Sequence, residues 1–209
     1  MKDTISMTLA ALVFITGAAF AQVGNNPSVL NPNLASASEI SALPGMNPTL
    51  VEKIIEKRPL ASTGEIDSLL HSRLDPDAIR ALHEKLFVPL NLNSASREEI
   101  MLIPGMTRRM AHEFEEYRPY TSLEQFRREI GKYVDANEVA RLEQFVFVPL
   151  DLNSASSEEL ATIPGISPRM VHEFEEYRPY SDMQQFRREI GKYVDPDEVA
   201  RLERYVEIR

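Results

Sequence analysis

Asn93-Ser94-Ala95-Ser96-Arg97-Glu98-Glu99-Ile100-Met101-Leu102-Ile103-Pro104-Gly105-Met106 occurs three times at one spacing, with copies over 33–46 and 153–166. Ser96 followed by Glu99 is a capping box, in which the serine oxygen takes the backbone N–H three residues on and the glutamate returns to the serine N–H. Ser36 with Glu39 and Ser156 with Glu159 repeat it. Each cap contributes about 1 kcal/mol to a helix start. The apolar run then stops at Pro44, Pro104 or Pro164, and the chain turns at Gly45, Gly105 or Gly165, where a residue without Cβ takes a left-handed or crowded conformation. A self-similar period overrides the one or two domains that 209 residues suggest. It divides the chain into blocks over 31–90, 91–150 and 151–209. The last two are near-duplicates and the first has diverged.

Working outward, a second helix starts at Asn47, Thr107 or Ser167, all good N-caps, with Pro48 and Pro168 at the first helical position. In the middle block Met110, Ala111, Phe114 and Tyr117 fall on one face, which leaves Arg108, Arg109, His112, Glu113, Glu115 and Glu116 outward. Arg118-Pro119 and its counterparts at 58–59 and 178–179 break that helix. A third helix is expected from a Thr121–Glu124 cap to Gly131, with Leu123, Phe126 and Ile130 inward and Arg127 and Arg128 outward. A fourth opens at Asp135 with Glu138 as its capping box, repeated at Asp195 with Glu198 and begun by Asp75-Pro76 in the first block. It buries Val139, Leu142 and Phe145. The expected fold is all-α: three tandem units of four short helices. The connections Phe87-Val88-Pro89-Leu90 and Phe147-Val148-Pro149-Leu150 are apolar, unlike flexible tethers, so they should be buried and the units should pack as a compact array.

The N-terminus reads as an export signal over 1–21, with Lys2, an apolar run from Ile5 to Phe20 and the triplet Ala19-Phe20-Ala21 before the cut. The run is shorter than the roughly 20 apolar residues of a spanning helix, so no membrane span is expected after cleavage. The destination would be the periplasm or the exterior. Residues 22–30 read as a flexible lead-in. The chain has no cysteine, which excludes disulfides, thiolate zinc sites and cysteine nucleophiles.

The pattern Asn-Leu-Asn-Ser-Ala-Ser-x-Glu-Glu-Ile/Leu, then Ile-Pro-Gly-Met/Ile, then Arg118 or Arg178, resembles the helix-hairpin-helix domain of the competence DNA receptor (ComEA-type) family over nearly all of each block. The resemblance implies paired helical hairpins, export to the periplasm, and binding of double-stranded DNA without sequence preference. DNA-binding hairpins of that family usually read Pro-Gly-Ile-Gly, so that backbone N–H groups at the helix start approach a phosphate, as helix N-termini hold anions. Here Asn47, Thr107 and Ser167 replace the second glycine, and Met110 and Met170 stand where a lysine is frequent. The second Gly-x-Gly turn survives as Gly131-Lys132-Tyr133 and Gly191-Lys192-Tyr193 and is absent from the first block. More distantly, the sequence is similar to the lumenal extrinsic subunit of photosystem II and to secretion pseudopilins, in which such hairpins make protein contacts; fold does not settle function.

The DNA-binding candidates are Gly105, Thr107, Arg108 and Arg109 at the middle turn, with Arg127, Arg128 and Lys132. Gly165, Ser167, Arg169, Arg187, Arg188 and Lys192 are their counterparts. Against them stands a net charge of −9, shared as about −2, −2 and −5 among the blocks, whereas proteins that hold phosphate backbones usually present a positive surface. Pairing of these cations with Glu113, Glu116, Glu124 and Glu129 on solvated faces is the competing reading. Two function classes therefore stay open, a double-stranded DNA binder and a scaffold for an unidentified periplasmic protein. His112 and Glu116 have the i, i+4 spacing of a metal pair, repeated at His172, but the sequence offers no third ligand and Glu52 replaces the histidine in the first block. No nucleophile–base pair, phosphate-cradling glycine loop or carboxylate dyad stands out, so neither enzyme nor cofactor is expected. Tyr117, Tyr120 and Tyr133 read as packing residues rather than base-stacking platforms.

Overall fold

The computed structural model describes residues 28–209 except residue 72; residues 1–21, where the sequence suggests an export signal, and residues 22–27 lie outside the described residues. The described chain is mostly helical. The first repeat holds α1 (Ala37–Ser41), α2 (Pro48–Glu56), α3 (Thr63–Leu70) and α4 (Pro76–His83), and the second α5 (Arg97–Ile100), α6 (Arg108–Glu116), α7 (Leu123–Ile130) and α8 (Ala136–Glu143). The third holds α9 (Ser157–Leu160), α10 (Pro168–Glu176), α11 (Met183–Ile190) and α12 (Pro196–Glu203). All three capping boxes form. Gly45, Gly105 and Gly165 take φ of +80°, +75° and +72°, a region that costs other residues about 1–2 kcal/mol.

Three expectations about the helices need correction. The α7 cap is Ser122, whose Oγ accepts from Gln125 N, because the Gln125 side chain already takes the Thr121 amide. Asp135 caps α8, but Glu138 turns away to Arg141, so that box is half-made. Gly131 stops α7 as expected, at an ordinary right-handed φ of −62°. Glu113, expected outward, is buried, as is Glu173.

The helices are accompanied by short parallel ladders that helical periodicity does not announce. β1 (Leu90–Asn91) pairs with β2 (Val146–Phe147), and β3 (Leu150–Asp151) with β4 (Val206–Glu207). Leu30 bridges Leu86 in the same sense. Each ladder ties the start of a repeat to its end, a parallel pairing that requires a long crossover, here the four helices. Leu30, the end of the presumed flexible lead-in, is held by its N–H to Lys85 O (2.7 Å) and its carbonyl to Phe87 N (3.0 Å), and Val29 is buried in the second repeat's core.

Each repeat has its own apolar core, and the connecting segments are shared between neighbours. Phe87, Val88, Phe147 and Val148 are all buried. Phe87 stacks edge-on against Phe145 at 5.0 Å, joining repeats one and two, and Phe147 meets Tyr205 at 4.6 Å, joining two and three. The third repeat also returns to the first. Arg204 donates to Leu60 O (3.2 Å) and Pro89 O (3.1 Å), and Asn31 Nδ2 donates to the Tyr205 hydroxyl (3.4 Å). The array therefore closes on itself. No helix among the described residues is long and apolar enough to cross a membrane.

Candidate functional site

The turn of the second repeat places Gly105, Thr107, Arg108 and Arg109 together at the start of α6. Thr107 Oγ1 accepts from Met110 N at 3.2 Å, so the threonine fills one of the helix-start amides that a phosphate would use. Asn47 and Ser167 do the same for Leu50 and Met170. Each turn is also covered from within its own repeat. Arg141 donates to Pro104 O (2.8 Å), and its guanidinium would stand 3.4 Å from a Cβ built on Gly105. Arg201 donates likewise to Pro164 O, and Leu74 covers Gly45. In the third repeat the cover extends between repeats, because Leu34 would stand 2.7 Å from a Cβ at Gly165.

The covering arginines are themselves paired. Glu138 accepts from Arg141 at 2.7 Å on both oxygens, and that bond holds the carboxyl below the ordinary glutamate range. Glu198 likewise accepts from Arg201 at 2.6 Å on both oxygens. Arg141 and Arg201 were not among the sequence candidates, although an acid three residues before each was the available signal.

The remaining candidates split into two groups. Arg127 reaches Glu143 at 2.7 and 2.5 Å as well as Glu124, and Arg187 reaches Glu203, so these two lie against the fourth helix rather than beside the turn. The other group surrounds a pair of tyrosines. Tyr117 and Tyr133 share a hydroxyl hydrogen bond of 2.8 Å, the Arg109 guanidinium lies 5.8 Å from the Tyr133 ring centre, and Lys132 Nζ lies 4.9 Å from that of Tyr117. Hydrogen bonding to Tyr117, then to Glu113, pushes the Tyr133 hydroxyl well above the ordinary phenol range. Lys132 and Arg128 both pair with Glu129, and the Lys132 bond draws that carboxyl down. The third repeat copies the arrangement: Tyr177 and Tyr193 bond at 2.8 Å, Arg169 lies over Tyr193 (5.2 Å) and within 3.8 Å of Glu173, and Lys192 and Arg188 pair with Glu189. Tyr120 is fully buried. The expected strip from the turn to Arg127 is therefore not continuous. Glu113 is buried because it sits beside Tyr133, a cross-helix contact that the spacing within α6 does not reveal.

His112 Nε2 lies 3.0 Å from Glu116, and no group of three or more metal-ligating side chains comes together among the described residues.

No family model and no solved structure matches the chain. It is 29% identical over 120 residues to "Endonuclease/exonuclease/phosphatase family domain-containing protein 1" of Xenopus laevis, a match that takes 43% of this chain and 21% of that protein. The matched stretch thus spans about a fifth of that relative's length.

Proposed function

We propose that this chain is an exported, non-enzymatic protein of three tandem helix-hairpin-helix units that serves as a scaffold for protein contacts. One observation carries the reading: every candidate cation except Arg108 and Arg109 is already paired with a carboxylate of the chain. A phosphate backbone would have to displace those carboxylates, and the counterion release that supplies most nucleic-acid affinity would be correspondingly small. The occupied helix-start amides and covered turns support the same conclusion. The relative's name describes an endonuclease/exonuclease/phosphatase family domain, and with only about a fifth of that protein matched we carry no activity over from it.

A second reading, binding of double-stranded DNA, is favoured at one place. The second repeat alone lacks proline at the first helical position of its turn, and Arg108 and Arg109 there carry no ion pair among the described residues. Fluorescence anisotropy with a labelled duplex at low and physiological salt separates the two readings. The scaffold predicts no saturable binding at either salt. Saturable binding that falls steeply with salt and disappears in R108A/R109A would establish the DNA reading instead.

A further inference from the structure

The first repeat, which departs most from the motif, lacks the tyrosine pair that the other two share. Shifting by 60 residues aligns Glu113, Tyr117 and Tyr133 with Lys53, Lys57 and Arg73, and the third repeat has Glu173, Tyr177 and Tyr193 at those places. In the second and third repeats these positions converge. The tyrosine hydroxyls meet at 2.8 Å in both, and Glu113 and Glu173 are buried. In the first repeat the same three positions all carry cations, and all three residues are exposed. Lys57 lies 3.6 Å from Glu65, while Lys53 and Arg73 have no ion-pair partner among the described residues. A buried acid and two hydrogen-bonded phenols stand where the first repeat has three exposed cations.

We infer that this face of the first repeat, centred on Lys53, Lys57 and Arg73, is an interaction surface for a short acidic segment of a partner protein. The inference rests on the scaffold reading and locates its contact face. The charge pattern selects the partner. Glu52 and Glu56 flank Lys53 on α2, and Glu65 sits beside Lys57, so the cations are bordered by acids. A duplex lays phosphates in a long continuous row and would meet those acids. A peptide offering two or three neighbouring carboxylates would not need to pass them. Each exposed pair is worth little alone, so the surface acts by charge matching and by excluding other partners.

The test uses the full chain, a short fluorescent oligoglutamate peptide and a DNA duplex of similar charge, at low salt. The wild type should bind the peptide, and K53E/K57E/R73E should lose about tenfold or more in affinity while R108A/R109A binds as the wild type does. Circular dichroism and thermal melting matching the wild type would show that the reversed variant is folded, as expected for side chains on the surface. Absence of peptide binding by the wild type, or equal binding by wild type and the reversed variant, overturns the patch and leaves the scaffold reading standing. Duplex binding that depends on Lys53, Lys57 and Arg73 overturns both.

Discussion

Replacing Asn33 by alanine tests what the recurrent asparagine is for. Its Nδ2 donates to Leu60 O at 2.9 Å, and its Oδ1 accepts from Leu60 N at 2.7 Å, so one side chain satisfies both backbone groups of a fully buried residue. Asn33 is itself 8% exposed. Alanine leaves the Leu60 N–H without a partner, while Leu60 O keeps the Arg204 guanidinium at 3.2 Å, and an unsatisfied buried polar group costs about 1–3 kcal/mol. The expected loss for N33A is about 2 kcal/mol, a sizeable part of the roughly 5–15 kcal/mol that holds a domain together. Asn93 and Asn153 clasp Tyr120 and Tyr180 with the same geometry but are only half-buried, so water replaces part of what is lost and about 1–2 kcal/mol is expected. N33D is the sharper variant: it keeps the acceptor, removes the donor and aims a carboxylate at a carbonyl, so it should cost at least as much as alanine. Urea unfolding reads the midpoint, with an unchanged slope marking a pure stability effect, and native-state hydrogen exchange at the Leu60 amide reads the clasp directly. A loss below about 0.5 kcal/mol, or a greater cost at Asn93 than at Asn33, would refute the clasp as the reason for the asparagine.

Gly165→Ala should destabilise by about 1–2 kcal/mol from its positive φ alone, and by more because Leu34 lies in the way of the new methyl; L34A should recover part of that excess in a double-mutant cycle, whereas strict additivity would remove Leu34 from the account. Glu138 is expected to make the fold acid-sensitive. The bond from Arg141 holds its folded pKa below the unfolded value, so its contribution is present above the ordinary glutamate range and is lost as pH falls through the folded value. E138Q should flatten the acid limb of stability against pH, and an unchanged limb would count against it. Arg204→Ala removes both bonds from the third repeat to Leu60 O and Pro89 O and should separate its unfolding from that of the first repeat, visible as repeat-specific hydrogen exchange; uniform loss of protection across the chain would speak against that coupling.

What could be read from sequence was local. The boxes at Ser36, Ser96 and Ser156 and the caps at Asn47, Thr107 and Ser167 connect groups three residues apart, and each formed as its pattern requires. Burial of Phe87-Val88 and Phe147-Val148 followed from composition alone. What could not be read were contacts across sequence distance. Leu90 pairs with Val146 through two-residue strands too short to show alternation. Glu113 is charged and was placed outward by its position on α6, yet Tyr133 draws it into the protein. Asn93 was legible as part of a repeated motif, but its role depends on Tyr120, which lies beyond α6. At the candidate site the same boundary holds. The grouping of Gly105, Thr107, Arg108 and Arg109 was visible in sequence, whereas the separation of Arg127 from that group was decided by Glu143 on the next helix.

The internal repeats also show why Arg127 and Arg187 are there. Each faces a glutamate on the following helix, Glu143 or Glu203. At the aligned positions of the first repeat the polarity is reversed, with Asp67 Oδ1 lying 2.7 Å from Nε2 of the buried His83. The acid has moved from the fourth helix to the third and the basic partner has moved the other way, while the contact between the helices is kept. A side chain selected to meet an external phosphate would have no reason to change sign together with an internal neighbour. The paired change follows directly if the position serves as a strap between the third and fourth helices. The arginines at 127 and 187 therefore belong to the fold's own bracing, and they differ in this from Arg108 and Arg109 on the second repeat and Lys53 and Arg73 on the first, which make no ion pair among the described residues.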